Sequence, residues 1–147
     1  MIEFKETYES ALRSLSRREH STLELARKLR AKGFPPEHIS QALHELTSQG
    51  YLSDIRFTEN YARYRLNSGW GPVMIVQELL EKGLSSTLIE EQMSVLQEHW
   101  LALASQVREK KFGAHWPQSY VEIAKQKRFL QYRGFTLDHI KQVFDKG

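Results

Sequence analysis

Apolar residues return along this chain at intervals of three and four, the spacing of one face of a helix. Tyr8, Ala11, Leu12 and Leu15 share such a face near the start. Phe57, Tyr61 and Tyr64 share one after the turn SQGYLSD, and Trp100, Leu103, Ala104 and Val107 share one in EHWLALASQVREKKFG. Stripes of this kind are core faces, and these are read as such. The spacing predicts nine helices, roughly 4–17, 21–32, 35–49, 54–67, 72–82, 85–97, 98–112, 119–133 and 136–145. No stretch alternates with period two for long enough to propose a strand.

One short pattern interrupts the helical spacing three times: RKLRAKGF, QELLEKGL and RFLQYRGF. Aligned on Gly33, Gly83 and Gly134, the copies place Leu29, Leu79 and Leu130 four residues earlier. Lys32, Lys82 and Arg133 come just before the glycine, and Phe34, Leu84 and Phe135 just after it. Ile39, Ile89 and Ile140 follow in register, and then Leu43, Met93 and Phe144. A glycine between a base and an apolar residue is a helix C-terminal cap: glycine adopts the left-handed conformation cheaply, and the base complements the helix dipole. Each glycine therefore joins two helices. Start signals agree. STLE (21–24) and SYVE (119–122) are capping-box patterns, and Pro72 in WGP suits a first helical position, with Trp70 stapled onto Ile75.

The fold class that follows is all-α: three tandem three-helix repeats, about 1–50, 51–97 and 98–147, forming one domain over 1–147. Units that mainly contact their neighbours make an extended array. FGAHWPQ (112–118), the one connection richer than a tight turn, is the expected flexible joint.

Composition changes this picture little. With 147 residues, 40% hydrophobic and 27% charged, the chain suits a globular domain. It has no cysteine, which excludes a disulfide scaffold, a thiol nucleophile and a sulfur-built zinc site. No stretch has the length of a signal peptide's apolar core or a membrane span, so a cytoplasmic protein without membrane contact is expected. Charge is more informative in its distribution than in its net value of +3. Residues 13–32 carry seven bases against two acids, residues 33–100 four against nine, and residues 101–147 nine against four. Two basic ends flank an acidic middle.

No catalytic constellation accompanies these charges. The phosphate-cradling loop, the serine elbow and the paired zinc histidines are all missing. The six histidines are scattered; His38 and His139 share a repeat slot, but the second repeat has Leu88 there, which marks a packing or capping position rather than a metal site. Neither an enzyme nor a metal or cofactor is expected. Three-helix units with a glycine turn also raise a helix-turn-helix DNA reader. The helices after the first two glycines argue against it. EHISQALHEL and STLIEEQMSVL contain no Lys or Arg and two acids each, a poor match to base edges and phosphates.

The repeats differ on their outer faces. With Leu130 buried, about 100° per residue places Lys125, Arg128 and Tyr132 on the opposite side. The matching residues are Glu24, Arg27 and Ala31 in the first repeat and Met74, Gln77 and Glu81 in the second. A kept inner face with one basic and aromatic outer face describes a scaffold with a directional contact surface. The candidate contact residues are Arg27, Arg30, Arg56, Arg63, Arg65, Lys110, Lys125, Lys127, Arg128, Tyr132 and Arg133. Lys111 falls on the Trp100 face, where its stem can snorkel.

GYLSDIRFTENYARYRLNSGWGPVMIVQELLEKGL (50–84) resembles the central signature of the RecX family, regulators of the RecA recombinase. RREHSTLELARKLRAKGF (17–34) and KRFLQYRGF (127–135) resemble its flanking blocks. The resemblance covers nearly the whole chain. It implies a curved chain of three-helix repeats and a monomeric negative modulator in DNA repair and the SOS response. Such a modulator binds RecA filaments on DNA and inhibits strand exchange, ATP hydrolysis and co-protease activity. The alternative is a helical module that binds single- or double-stranded DNA weakly and without sequence preference.

Overall fold

The structure is a computed structural model that describes residues 3–145. Among these residues it contains nine α-helices and no strand. They are α1 (Phe4–Arg17), α2 (Thr22–Ala31), α3 (Pro36–Ser48), α4 (Asp54–Asn67), α5 (Pro72–Glu81), α6 (Ser86–Val95), α7 (Trp100–Phe112), α8 (Tyr120–Tyr132) and α9 (Leu137–Asp145). Each lies within a residue or two of its sequence expectation, except that the 98–112 segment opens with a separate 3₁₀ turn, Gln97–His99.

The ends are set locally. Ser21 and Glu24 form a complete capping box on α2, each side chain bonded to the other's backbone N–H. SYVE is only half a box: Ser119 accepts from the Glu122 N–H at 3.1 Å, while the Glu122 carboxylate accepts from Gln126. Gly33, Gly83 and Gly134 have φ of +89°, +84° and +94°, as a left-handed cap requires.

Two compact units divide the chain: residues up to Asn60 with Leu79–Leu88, and Tyr61–Glu78 with residues from Ile89 on. In the first, Ala11, Leu25, Leu29, Ile39, Leu46 and Leu52 form the core, with Tyr8, Leu12, Leu15 and Phe34 packed around it. In the second, Ala104, Leu130, Phe135, Ile140 and Val143 do so, flanked by Leu103, Val107, Phe129 and Phe144. Leu25, Leu29 and Leu130 are wholly buried, each stabilising the fold by about 1.5–3 kcal/mol. The aromatic stripe of α4 only partly obeys its expectation. Phe57 is buried and Tyr61 half-buried, but Tyr64 is 65% exposed.

The repeat glycines do more than turn the chain. In the first unit the Ser21 hydroxyl donates to the Lys82 carbonyl at 2.8 Å, so the N-terminus of α2 caps the C-terminus of α5. Leu23 lies on Gly83 so closely that a Cβ there would come within 2.5 Å of it. In the second unit the N–H groups of Gly71 and Val73 donate to the carbonyls of Arg133 and Gly134, both at 2.8 Å. There α5 caps α8, and Gly134 faces Met74 with no room for a Cβ. Orphan donors of one helix meet orphan acceptors of another, positive dipole end to negative.

Candidate functional site

The sequence-predicted contact residues separate into those held by the fold and those left free. Arg56, at the start of α4, is held: its guanidinium donates to both carboxylate oxygens of Glu19 and to the carbonyls of Gly50 and Tyr51. The Glu19 hydrogen bond raises its pKa further above the ordinary arginine value. Arg65 makes a two-pronged pair with Glu78, at 2.8 Å for each bond, and Tyr61 donates to the same carboxylate at 3.0 Å. Arg133 donates to the Gly69 carbonyl at 3.2 Å and lies over the rings of Trp70 and Phe129.

Trp70 is therefore the centre of a stack. The guanidinium of Arg65 lies 4.6 Å from its ring centroid and that of Arg133 4.9 Å, and the Tyr132 ring is 6.0 Å away. Charge spread over a planar guanidinium attracts an indole face, and two such contacts fix the α4–α5 turn against α8.

Outside this stack the outer-face bases of α8 are open. Lys125 and Arg128 of α8 are exposed and make no hydrogen bond or ion pair among the described residues. Tyr132, one turn on, is 67% exposed, its far side resting toward Trp70. Lys127 is exposed too, with its ammonium 5.4 Å from the Phe144 ring centroid. A cleft of about 450 Å³ opens beside α8, lined by Asn67, Gly69, Gln106, Lys110, Lys111 and Arg133 among others. Lys111 sits over Phe129 at 5.6 Å, the snorkelling arrangement anticipated for it. Arg27 and Arg30 on α2, and Arg63 on α4, are exposed and unpaired among the described residues.

Glu24 does not belong to an outer face. It is half-buried in a nest of charge: Arg18 donates to both its oxygens, at 3.1 and 3.0 Å, and the Lys82 ammonium is 3.6 Å away. Burial alone would push its carboxyl up; Arg18, Lys82 and the Ser21 N–H together outweigh that and hold it below 4.5. Helical periodicity sorts residues around one helix only, and Glu24 is covered by what docks on that helix's end.

Sequence reasoning also missed Arg108, which is buried, donating to Gln126 at 3.1 Å and to the Gly113 carbonyl at 3.3 Å. The Trp116 ring lies 4.0 Å from its guanidinium and stacks edgewise on Phe144. The 112–118 connection expected to be the flexible joint is thus tied at Gly113 and Trp116. The column Trp100–Ala104–Arg108, at four-residue spacing, was the available signal. His38 and His139 are packing positions, each with a buried, unbonded Nδ1. Among the described residues no group of three or more His, Asp or Glu is placed to hold a metal ion, and no helix is long and apolar enough to cross a membrane.

Known proteins share this three-helix-repeat fold. Three family models match in order: the first RecX three-helix domain over residues 8–46, the second over 53–93 and the third over 97–144. The regulatory protein RecX of Legionella pneumophila is 47% identical over 137 residues, covering 93% of this chain and 91% of that protein. The one from Halorhodospira halophila is 42% identical over 133 residues, covering 90% of this chain and 83% of that protein. The crystal structure of RecX from Lactobacillus salivarius superposes with a TM-score of 0.85 at 24% identity, covering 97% of this chain and 95% of that one.

Proposed function

Because the chain belongs to the RecX family of regulatory proteins, we propose that it is a negative modulator of the RecA recombinase. It acts in the cytoplasm by lodging on RecA filaments assembled on DNA, and it lowers strand exchange, ATP hydrolysis and co-protease activity together. The repeats are a scaffold and one face of the third is the contact.

The observation that supports this most is the contrast among the three equivalent helices. On α8, Lys125, Arg128 and Tyr132 stand exposed. At the matching places α2 has the enclosed Glu24 with Arg27 and Ala31, and α5 has the half-buried Met74 with Gln77 and Glu81. Two bases and a tyrosine on successive turns suit phosphate or an acidic protein surface, the two anionic features of a protein–DNA filament. Lys110, beside the cleft, extends the same basic region.

Co-sedimentation with RecA filaments, compared with bare single- and double-stranded DNA across a salt series, tests this reading. Filament-selective binding is expected. Equal, steeply salt-dependent binding to all three would replace it with a general DNA-binding module.

A further inference from the structure

The joint that stacks helix ends inside this chain is used twice and left open once at each side. Gly83 and Gly134 are covered by the N-termini of α2 and α5, whereas a Cβ built on Gly33 meets nothing within 4 Å. Among the described residues no other helix end is bonded to the N-terminus of α8 either. Tyr120 and Val121, its first two residues, are 91% and 76% exposed.

Counted from the capping serine, these open halves match the joint of α2 on α5. In that joint Ser21 caps α2 and donates to the Lys82 carbonyl, Leu23 covers Gly83, and Glu24 lies 3.6 Å from the Lys82 ammonium. On α8 the same offsets carry Ser119, Val121 and Glu122, with Ser119 already capping the helix. At the end of α2, Lys32 and Gly33 repeat Lys82 and Gly83, glycine conformation included. The charges are complementary, a glutamate on one side and a lysine on the other. The Lys32 ammonium presently rests on the neutral Ser10 hydroxyl at 3.2 Å, so a carboxylate is a better partner than the one it has.

We propose that the occupant of each open half is a second copy of this chain, docked head to tail. The Ser119 hydroxyl of one copy donates to the Lys32 carbonyl of the next, Val121 covers Gly33, and Glu122 pairs with Lys32. Such a contact is heterologous: it leaves a free half at each end and adds copies in a line. It is also small, well under the roughly 1,000 Å² of a stable interface, so dilute protein stays monomeric. Copies held side by side on any linear support gain from it through effective concentration. The inference does not depend on what that support is.

Zero-length carbodiimide coupling of the purified wild-type chain, as an equal mixture of nitrogen-15-labelled and unlabelled protein, tests it without any partner. The internal joint supplies a standard, since Glu24 and Lys82 are near enough to couple within one chain. The expected result is a covalent dimer at high protein concentration containing a mixed-isotope Glu122–Lys32 isopeptide. Glu122→Lys should abolish that dimer, and mixing it with Lys32→Glu should restore coupling between the swapped residues. Val121→Asp should lower the wild-type yield about tenfold, as a loss of ~1.4 kcal/mol would. Coupling of Glu24 to Lys82 with no Glu122–Lys32 peptide overturns the proposal, and so does a Glu122–Lys32 link found only within single chains.

Discussion

The Ser21 hydroxyl lies 2.8 Å from the Lys82 carbonyl, a bond across 61 residues that caps one helix with the start of another. Next to it Leu23 packs on Gly83 with no space for a side chain, while Gly33, the same residue of the preceding repeat, faces open space. Both glycines have left-handed φ, so they differ only in what covers them. Gly33→Ala should cost about 1–2 kcal/mol from backbone strain alone. Gly83→Ala should cost that and about 1–3 kcal/mol more, because the new Cβ would come within 2.5 Å of the Leu23 Cδ2 and 2.7 Å of its Cβ, so turning the side-chain tip aside does not clear it. Urea melts of the two variants measure the difference. Equal midpoints would mean that Leu23 gives way freely.

His20 adds a pH dependence to the same region. It is buried at 2% exposure; its Nδ1–H donates to the Arg18 carbonyl at 3.0 Å, and its Nε2 has no partner. Burial lowers its pKa below 6.5, against the raising effects of the Arg18 carbonyl and the Glu24 carboxylate; Arg18 and Lys28 add to the lowering. The folded chain therefore binds fewer protons than the unfolded one in this window, so stability rises with pH. The contribution is complete above 6.5 and is lost as pH falls through the lowered folded value. Melting temperatures should drop below pH 6.5 in the wild type and less so in His20→Gln. The loss from Glu24 belongs to a lower range, beneath 4.5. Parallel pH profiles for the two proteins would remove His20 as the cause.

The guanidinium stack predicts which bases are structural. Arg65→Ala leaves the half-buried Glu78 with Tyr61 alone and should destabilise by about 1.5–3 kcal/mol. Arg133→Ala should also lower the urea midpoint, and it should shift Trp70 emission by opening one face of the indole. Arg128→Ala, exposed and unpaired, should do neither. If all three melt alike, the stack contributes no stability.

Helix positions and caps were legible because their signals are local: a serine with a glutamate three residues on, a glycine after a base, a proline at a first turn. The surroundings that were not legible are those of residues whose partners are distant in sequence. Arg56 reads as a free base until Glu19, 37 residues earlier, is brought to it; Arg65 depends on Glu78, and Arg133 on the Gly69 carbonyl, 64 residues away. Glu24 was placed on an outer face that a neighbouring helix end covers. Conversely, Lys125, Arg128 and Tyr132 were legible, since exposure opposite a buried leucine is a property of α8 alone.

The central claim is that this α8 face is where the regulator meets its filament. Lys125→Glu with Arg128→Glu reverses two exposed, unpaired charges, so the thermal melt should be unchanged. The deciding measurement is inhibition of RecA's DNA-dependent ATP hydrolysis by the double variant at low salt, where charge attraction is least screened. The inhibitory concentration should rise at least about tenfold, equivalent to ~1.4 kcal/mol of lost binding, with Arg27→Glu on α2 changing it less. A double variant that folds normally and inhibits at the wild-type concentration would contradict the account and turn attention to Arg63 of α4.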